Sequence, residues 1–323
     1  MIFLKFKKGQ GLGNQLWNYI VLRSVADFNN FKYEIINFSS FIGKDFLKIE
    51  EKNTSEELSK ESLFLYKEPV IYDNDLKCYV NVFDKNIFEI KKHTLIEGIL
   101  QSEQYLKPDL NIINKYIKLK DQTINKSITN KTCIINLRGG EYKLHKNLIL
   151  PKSYWINAIK NMKRYRHDLI FKIITDDYDY ASALLPEYEI IKGTIAEDFK
   201  NLYSSKYVIL SNSSFGYFPI KMGNPPDIVI GPNHWARYGN KYNRWASPTN
   251  FYKGWLWQNV RGEIIKESEI ENSINESYSI YSTYNVSTCE AALSKFSIKQ
   301  ILPLTIKKLI KKILSKIFPL HIG

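Results

Sequence analysis

Arg138 closes an apolar run from Thr132 to Leu137 and is followed by Gly139-Gly140-Glu141-Tyr142. An arginine at the carboxyl end of a buried strand sets a permanently charged, forked donor at a sheet edge, where α/β proteins bind ligands. Its natural partner there is a phosphate or carboxylate held by paired hydrogen bonds. Asn136, two residues earlier, is the one polar residue at the end of that run and is a candidate contact for the same ligand. Two further blocks supply complementary equipment: Gly9-Gln10-Gly11-Leu12-Gly13-Asn14-Gln15 and Ser211-Asn212-Ser213-Ser214-Phe215-Gly216, each after an apolar run of its own. Glycines allow close backbone approach, and small hydroxyls ahead of a helix suit anionic oxygens. Asn212, Ser213 and Ser214 are therefore read as phosphate contacts, with Phe215 as a wall beside them.

Each block also has a plainer reading. Asn14 fits a helix N-cap by type and place. Arg138 fits a structural pair with a carboxylate; Gly139 and Gly140 count against that, because they keep side chains away from the space the arginine must reach. Asp176 and Asp177 end the next apolar run and suit either a nucleobase edge and ribose or a helix N-cap. Asp177-Tyr178-Asp179 matches the short Asp-x-Asp metal element, but with Arg138 available for phosphate charge no metal and no separate cofactor is expected. The glycine loop lacks the spacing of the dinucleotide fingerprint, although Glu34 stands about where a ribose-binding acid would.

The elements that position these residues follow from periodicity. Met1 to Lys7 reads as a strand, Asn14 to Asn30 as a helix and Lys32 to Phe38 as a second strand, a βαβ opening. Residues 40–92 are polar and irregular. His93 to Leu100 reads as a strand running into Gln101-Ser102-Glu103, and Lys107 to Lys131 as a helix and polar link. A second series of strands follows at Thr132 to Leu137, Leu169 to Thr175, Tyr188 to Ile191, Tyr207 to Leu210 and Ile228 to Ile230. Helices fit between them at about Lys152 to Lys163, Asp179 to Leu185 and Ala196 to Ser205. Such alternation predicts parallel sheets with helices on both faces.

In order and spacing the three blocks resemble the bacterial α-1,2-fucosyltransferases of glycosyltransferase family 11. The family's His-x-Arg-Arg-Gly-Asp-Tyr is matched by Arg138, Gly140 and Tyr142, while Asn136, Gly139 and Glu141 depart from it. Its Ser-Asn-Ser-Ser/Thr-Phe block is matched by residues 211–215 and its Pro-x-x-Trp turn by Pro232 to Trp235; its Gly-Gly-x-Gly-Asn-Gln loop is similar to residues 10–15, where Gln10 stands at the first glycine. The resemblance implies an α/β fold of two Rossmann-like domains facing a cleft (the GT-B type), with GDP-fucose as donor and Asn14 near the transferred sugar. The organisation expected is residues 1–128 on the acceptor side, 129–265 on the nucleotide-sugar side, and 266–323 as a polar tether and tail. The reaction expected is an inverting single displacement that moves fucose to a galactose-type hydroxyl of a surface-polysaccharide or lipid-linked acceptor. Arg138 stabilises the departing diphosphate, Glu141 is the first candidate base and Glu103 the second. The rivals are another nucleotide-sugar donor, given Asn136 and Gly139, and an inactive membrane-peripheral glycan binder.

Composition bounds the remainder. The chain has 323 residues, a formal net charge of +13 and three cysteines without metal-like spacing. Seven of those charges are lysines within residues 291–323, which hold no acid or arginine, so the body is mildly basic and nucleic acid is not its expected partner. From Ile306 to Phe318 apolar residues recur every three or four positions, with the lysines between them. This predicts an amphipathic helix that lies on an anionic membrane through residues 299–318. With no signal-like N-terminus and no apolar stretch near the ~20 residues that span a bilayer, the expected place is the cytoplasm, against the inner face of the membrane.

Overall fold

The computed structural model describes residues 1–52, 63–121, 123 and 128–284. The basic helix expected at 299–318 lies outside the described residues. The first part of the chain contains β1 (Ile2–Lys5), α1 (Leu12–Asn29), β2 (Tyr33–Ile36), β3 (Leu47–Lys48), β4 (Phe64–Lys67), β5 (Val70–Asp73), β6 (Cys78–Asn81), β7 (Thr94–Glu97), α2 (Asn111–Tyr116) and β8 (Lys118–Leu119). Four of these strands form a parallel sheet in the order β2-β1-β7-β4.

The rest comprises β9 (Thr132–Leu137), α3 (Lys152–Tyr165), β10 (Ile170–Thr175), α4 (Tyr178–Leu184), β11 (Glu189–Ile190), α5 (Ile195–Ser204), β12 (Tyr207–Leu210), α6 (Tyr217–Lys221), β13 (Ile228–Pro232), β14 (Leu256–Gln258), β15 (Ile264–Ile265) and α7 (Glu267–Ser282). Its sheet runs β11-β10-β9-β12-β13-β14-β15, parallel except for the last pair. All six residues of β9 are buried, as a central parallel strand covered on both faces requires. The protein is thus α/β with two Rossmann-like halves, as expected from the alternation of strands and helices.

Strand order fixes where a ligand belongs. From β9 the chain steps outward to β10 and β11, then returns to the other side of β9 for β12 and β13. The reversal falls at the carboxyl ends of β9 and β12, the point at which open α/β sheets form their ligand crevice. The first sheet has the same kind of reversal between β1 and β7. The glycine loop leaves β1 there, and Gly98 to Gln101 leaves β7.

The halves share one apolar core. Trp17 of α1 stacks on Tyr217 of α6 at 4.3 Å between ring centroids, and on Tyr252 at 6.2 Å. Several segments differ from the sequence expectation. Lys107 to Lys131 contains the short helix α2 and then β8, which pairs with β3. The irregular stretch 40–92 holds the edge strand β4 and the hairpin β5–β6. The expected tether is helix α7 over Glu267–Ser282. Hydroxyls anchor this helix: Ser277 Oγ accepts from Trp245 N, Ser273 Oγ donates to Asn243 O, and Tyr281 Oη donates to Asp73.

Candidate active site

Register brings the sequence blocks together. β9 pairs with β10 so that Leu137 lies opposite Thr175, and with β12 so that Asn136 lies opposite Leu210. The residues that follow, Arg138, Asp176 and Ser211, therefore leave the sheet side by side. Asn136 is buried at this edge, with its carbonyl oxygen accepting from Ser211 N at 3.0 Å and its side-chain oxygen 3.5 Å from Ser211 Oγ.

Arg138 is engaged. One terminal nitrogen lies 3.0 Å from Asp176 Oδ2, and the other 3.8 Å from the carboxylate of Glu141, whose side chain is 73% exposed. Its Nε is buried and has no hydrogen-bond partner, while the side chain as a whole keeps 32% of its surface exposed. The guanidinium carbon sits 5.5 Å from the centre of the Tyr142 ring. The pair with a carboxylate that Gly139 and Gly140 count against does form, and those glycines are what admit it. A Cβ at Gly140 would lie 2.2 Å from Asp176 Oδ2, and one at Gly139 would lie 2.6 Å from Asp177 Cβ. Gly140 also has φ +36°, which disfavours a side chain. In the space so cleared, Gly139 N donates to Asp176 at 2.9 Å and Gly140 N to Asp177 at 3.1 Å.

Asp177 caps α4, accepting from Tyr180 N at 3.1 Å, and pairs with Lys143. Lys143 holds its carboxyl below the usual range. Both aspartates read as nucleotide contacts therefore already carry partners, one on the arginine and one as a cap.

The serine block continues the same edge. Tyr142, whose pKa burial raises, is hydrogen-bonded to Ser213, and its hydroxyl lies 3.5 Å from Asn212 O. Asn212 donates to Leu148 O at 3.0 Å and keeps its side-chain oxygen buried without a partner. Ser213 caps the turn Ser214–Gly216, accepting from Phe215 N at 3.4 Å. Phe215 turns toward α5, edge-on to Phe199 at 6.2 Å, so it packs into the core rather than standing only as a wall.

Ser214 then crosses to the other half: its Oγ donates to Asn14 Oδ1 at 2.9 Å. Asn14 is not the cap of α1. Gly11 holds that position, and Asn14 lies inside the first turn, with Gln101 Nε2 donating to the same oxygen at 2.6 Å. Gly13 lies so close to Ser214 that a Cβ there would be 2.5 Å from its carbonyl carbon. Asn250 of the second half donates to Gln101 O at 2.7 Å. Gln101, which opens the Gln101-Ser102-Glu103 segment noted after the strand, and Asn250 thus take part in the junction; nothing in the sequence marked Asn250.

The second candidate base, Glu103, is 17% exposed and held across the halves by Tyr217 Oη at 2.8 Å and Lys221 Nζ at 3.0 Å. His234 is a packed turn histidine at φ +61°, edge-on to Trp245, and burial lowers its pKa to about 4. Among the described residues no group of three or more His, Cys, Asp or Glu is placed to hold a metal ion.

No protein-family profile matches the chain, and no curated protein matches it in sequence. Among solved structures it is similar to a mutant of Arabidopsis thaliana FUT1 in complex with GDP, at 11% identity over 71% of this chain and 69% of that one, with a TM-score of 0.43. Fucosyltransferase NodZ from Bradyrhizobium gives 14% identity over 68% and 93%, with a TM-score of 0.42. The E. coli heptosyltransferase WaaC with ADP gives 11% over 86% and 100%, with a TM-score of 0.39.

Proposed function

We propose that the chain is a nucleotide-sugar glycosyltransferase that holds the donor's diphosphate at the β9/β12 crevice and the acceptor against α1. The observation that carries this reading is the 2.9 Å contact between Ser214 and Asn14, which joins the reversal points of the two sheets. Both halves then present their loops to one space, with Arg138 on its rim.

The finer reading is transfer of L-fucose from GDP-fucose to a galactose-type hydroxyl, with inversion, on a surface-polysaccharide or lipid-linked acceptor. As the glycosidic bond to the diphosphate loosens, negative charge grows on the leaving phosphate and positive charge on the sugar. Arg138 answers the first, since a guanidinium placed beforehand needs no reorganisation when the charge appears. The buried serine hydroxyls, with the backbone of the Ser214–Gly216 turn, support the phosphate oxygens. Of the two candidate bases Glu141 is favoured, because its carboxylate is open to an incoming hydroxyl while Glu103 is tied to Tyr217 and Lys221. No metal is assigned, the phosphate charge being given to Arg138. The lysine-rich segment 299–318 holds the protein to an anionic membrane on the cytoplasmic side, near a lipid-linked acceptor.

The inactive glycan binder has one observation in its favour: Arg138 already carries a carboxylate. Release of GDP from GDP-fucose, followed with and without acceptor oligosaccharides, separates the two. Turnover lost in Arg138→Ala supports the transferase. Glycan binding with no turnover in wild type and variant alike supports the binder. Turnover with another nucleotide sugar alone replaces the donor.

A further inference from the structure

We infer that Asp176 is an internal competitor for the donor's phosphates, so that diphosphate binding requires exchange of one anion for another on Arg138. The inference deepens the reading above and rests on it. Three features set Asp176 apart from a chance surface pair. Register places it beside Arg138, one residue past the paired ends of β9 and β10. A glycine clears its path, since a Cβ at Gly140 would overlap Asp176 Oδ2 at 2.2 Å. Its two oxygens divide the work: Oδ1 accepts from Gly139 N at 2.9 Å, and Oδ2 pairs with the guanidinium at 3.0 Å. Backbone thus fixes the carboxylate against the face an arginine offers to an oxyanion.

The Nε of Arg138 is left buried and unpartnered. An incoming phosphate has that donor to take as well as the place of Asp176, and this unused donor favours the exchange. After transfer, Asp176 returns to the guanidinium as the nucleotide diphosphate leaves. The pair lowers affinity for the product and keeps the charge of the empty site balanced.

The test compares wild type, Asp176→Asn and Asp177→Asn by calorimetric titration with inorganic pyrophosphate and with GDP. Asparagine keeps an acceptor for Gly139 N in the first variant and an N-cap for α4 in the second. The second variant controls for the general field, because Asp177 pairs with Lys143 instead of Arg138. The pair is partly exposed, so Asp176→Asn is expected to tighten pyrophosphate roughly two- to fivefold, with Asp177→Asn changing it little. Equal tightening in both variants would reduce the effect to net charge and overturn the inference, as would no change or weaker binding in Asp176→Asn. Pyrophosphate tightened with GDP weakened assigns Asp176 to the nucleoside as well and keeps the competition. If none of the three proteins binds pyrophosphate or GDP, the phosphate reading itself fails, and the competitor with it. Thermal unfolding of each variant checks that it is folded.

Discussion

Replacing Gly13 by alanine tests the contact between the halves with a single methyl group. Gly13 lies in the first turn of α1 at an ordinary helical conformation, so alanine should favour the helix by ~1 kcal/mol. The methyl would nevertheless lie 2.5 Å from the carbonyl carbon of Ser214 and 2.6 Å from its carbonyl oxygen and Oγ. Ordinary contact begins about 1 Å further out, so the serine block must recede by that much. The hydrogen bond from Ser214 to Asn14 and the stack of Trp17 on Tyr217 resist the movement. Overpacking costs ~1–3 kcal/mol and the broken hydrogen bond ~1 kcal/mol. The helix gain offsets part of this and leaves a net loss of ~1–3 kcal/mol. At ~2–4 °C per kcal/mol for a protein of this size, the thermal midpoint should fall by several degrees. Gly11→Ser is the control. Gly11 is the N-cap, an added Cβ meets nothing within 4 Å, and a serine there supplies a cap, so stability should hold or rise by a few tenths of a kcal/mol. Differential scanning fluorimetry and urea unfolding measure both. A Gly13→Ala protein with the wild-type midpoint or higher would refute the close apposition of the halves.

Two buried groups set opposing pH dependences. Burial pushes the Glu68 carboxyl from an ordinary 4.5 up to about 7, so its contribution is fully present below pH 4.5 and is lost as pH rises through 7. Burial lowers His234 from 6.5 to about 4, so its contribution is present above pH 6.5 and is lost as pH falls through 4. Each shift amounts to about 3 kcal/mol, and the slopes oppose each other between pH 4.5 and 6.5. Thermal midpoints against pH should therefore rise across that window in Glu68→Gln and fall across it in His234→Asn; parallel profiles for the two variants would contradict both assignments. Removal of residues 291–323 should abolish sedimentation with phosphatidylglycerol vesicles while leaving GDP affinity unchanged, since each lysine near an anionic surface contributes ~1 kcal/mol. Vesicle binding that survives the truncation would place the membrane contact elsewhere.

The sequence made the second half legible because its strands are short apolar runs closed by polar or glycine-rich loops, with amphipathic helices between them. Thr132–Leu137 and Tyr207–Leu210 form as expected, and the remaining strands and helices of that series shift by a residue or two at their ends. The lost segments lack such contrast. β4 is an edge strand with Phe64 and Leu65 exposed, so burial leaves no alternation in its composition. Helix α7 is held by Ser273, Ser277 and Tyr281 through hydroxyl contacts, and its serines and glutamates read as a tether. At the site, residue types pointed to the right edge of the sheet but not to the pairings there. Gly139 and Gly140 suggested free space for Arg138, whereas that space admits the carboxylates of Asp176 and Asp177. Asn14 had the type of a cap, but the helix begins two residues earlier and turns it toward Ser214. Which neighbour fills a gap is decided by strand register between segments far apart in the chain, and single-chain periodicity does not carry that information.

Calorimetric titration of GDP into the wild-type protein and into Arg138→Ala, with both shown to be folded, bears most directly on the diphosphate site. Saturable binding in the wild type that disappears in the variant is the result expected from a guanidinium on the rim of the β9/β12 crevice. Equal affinity in the two proteins, or a wild type indifferent to GDP, would contradict it.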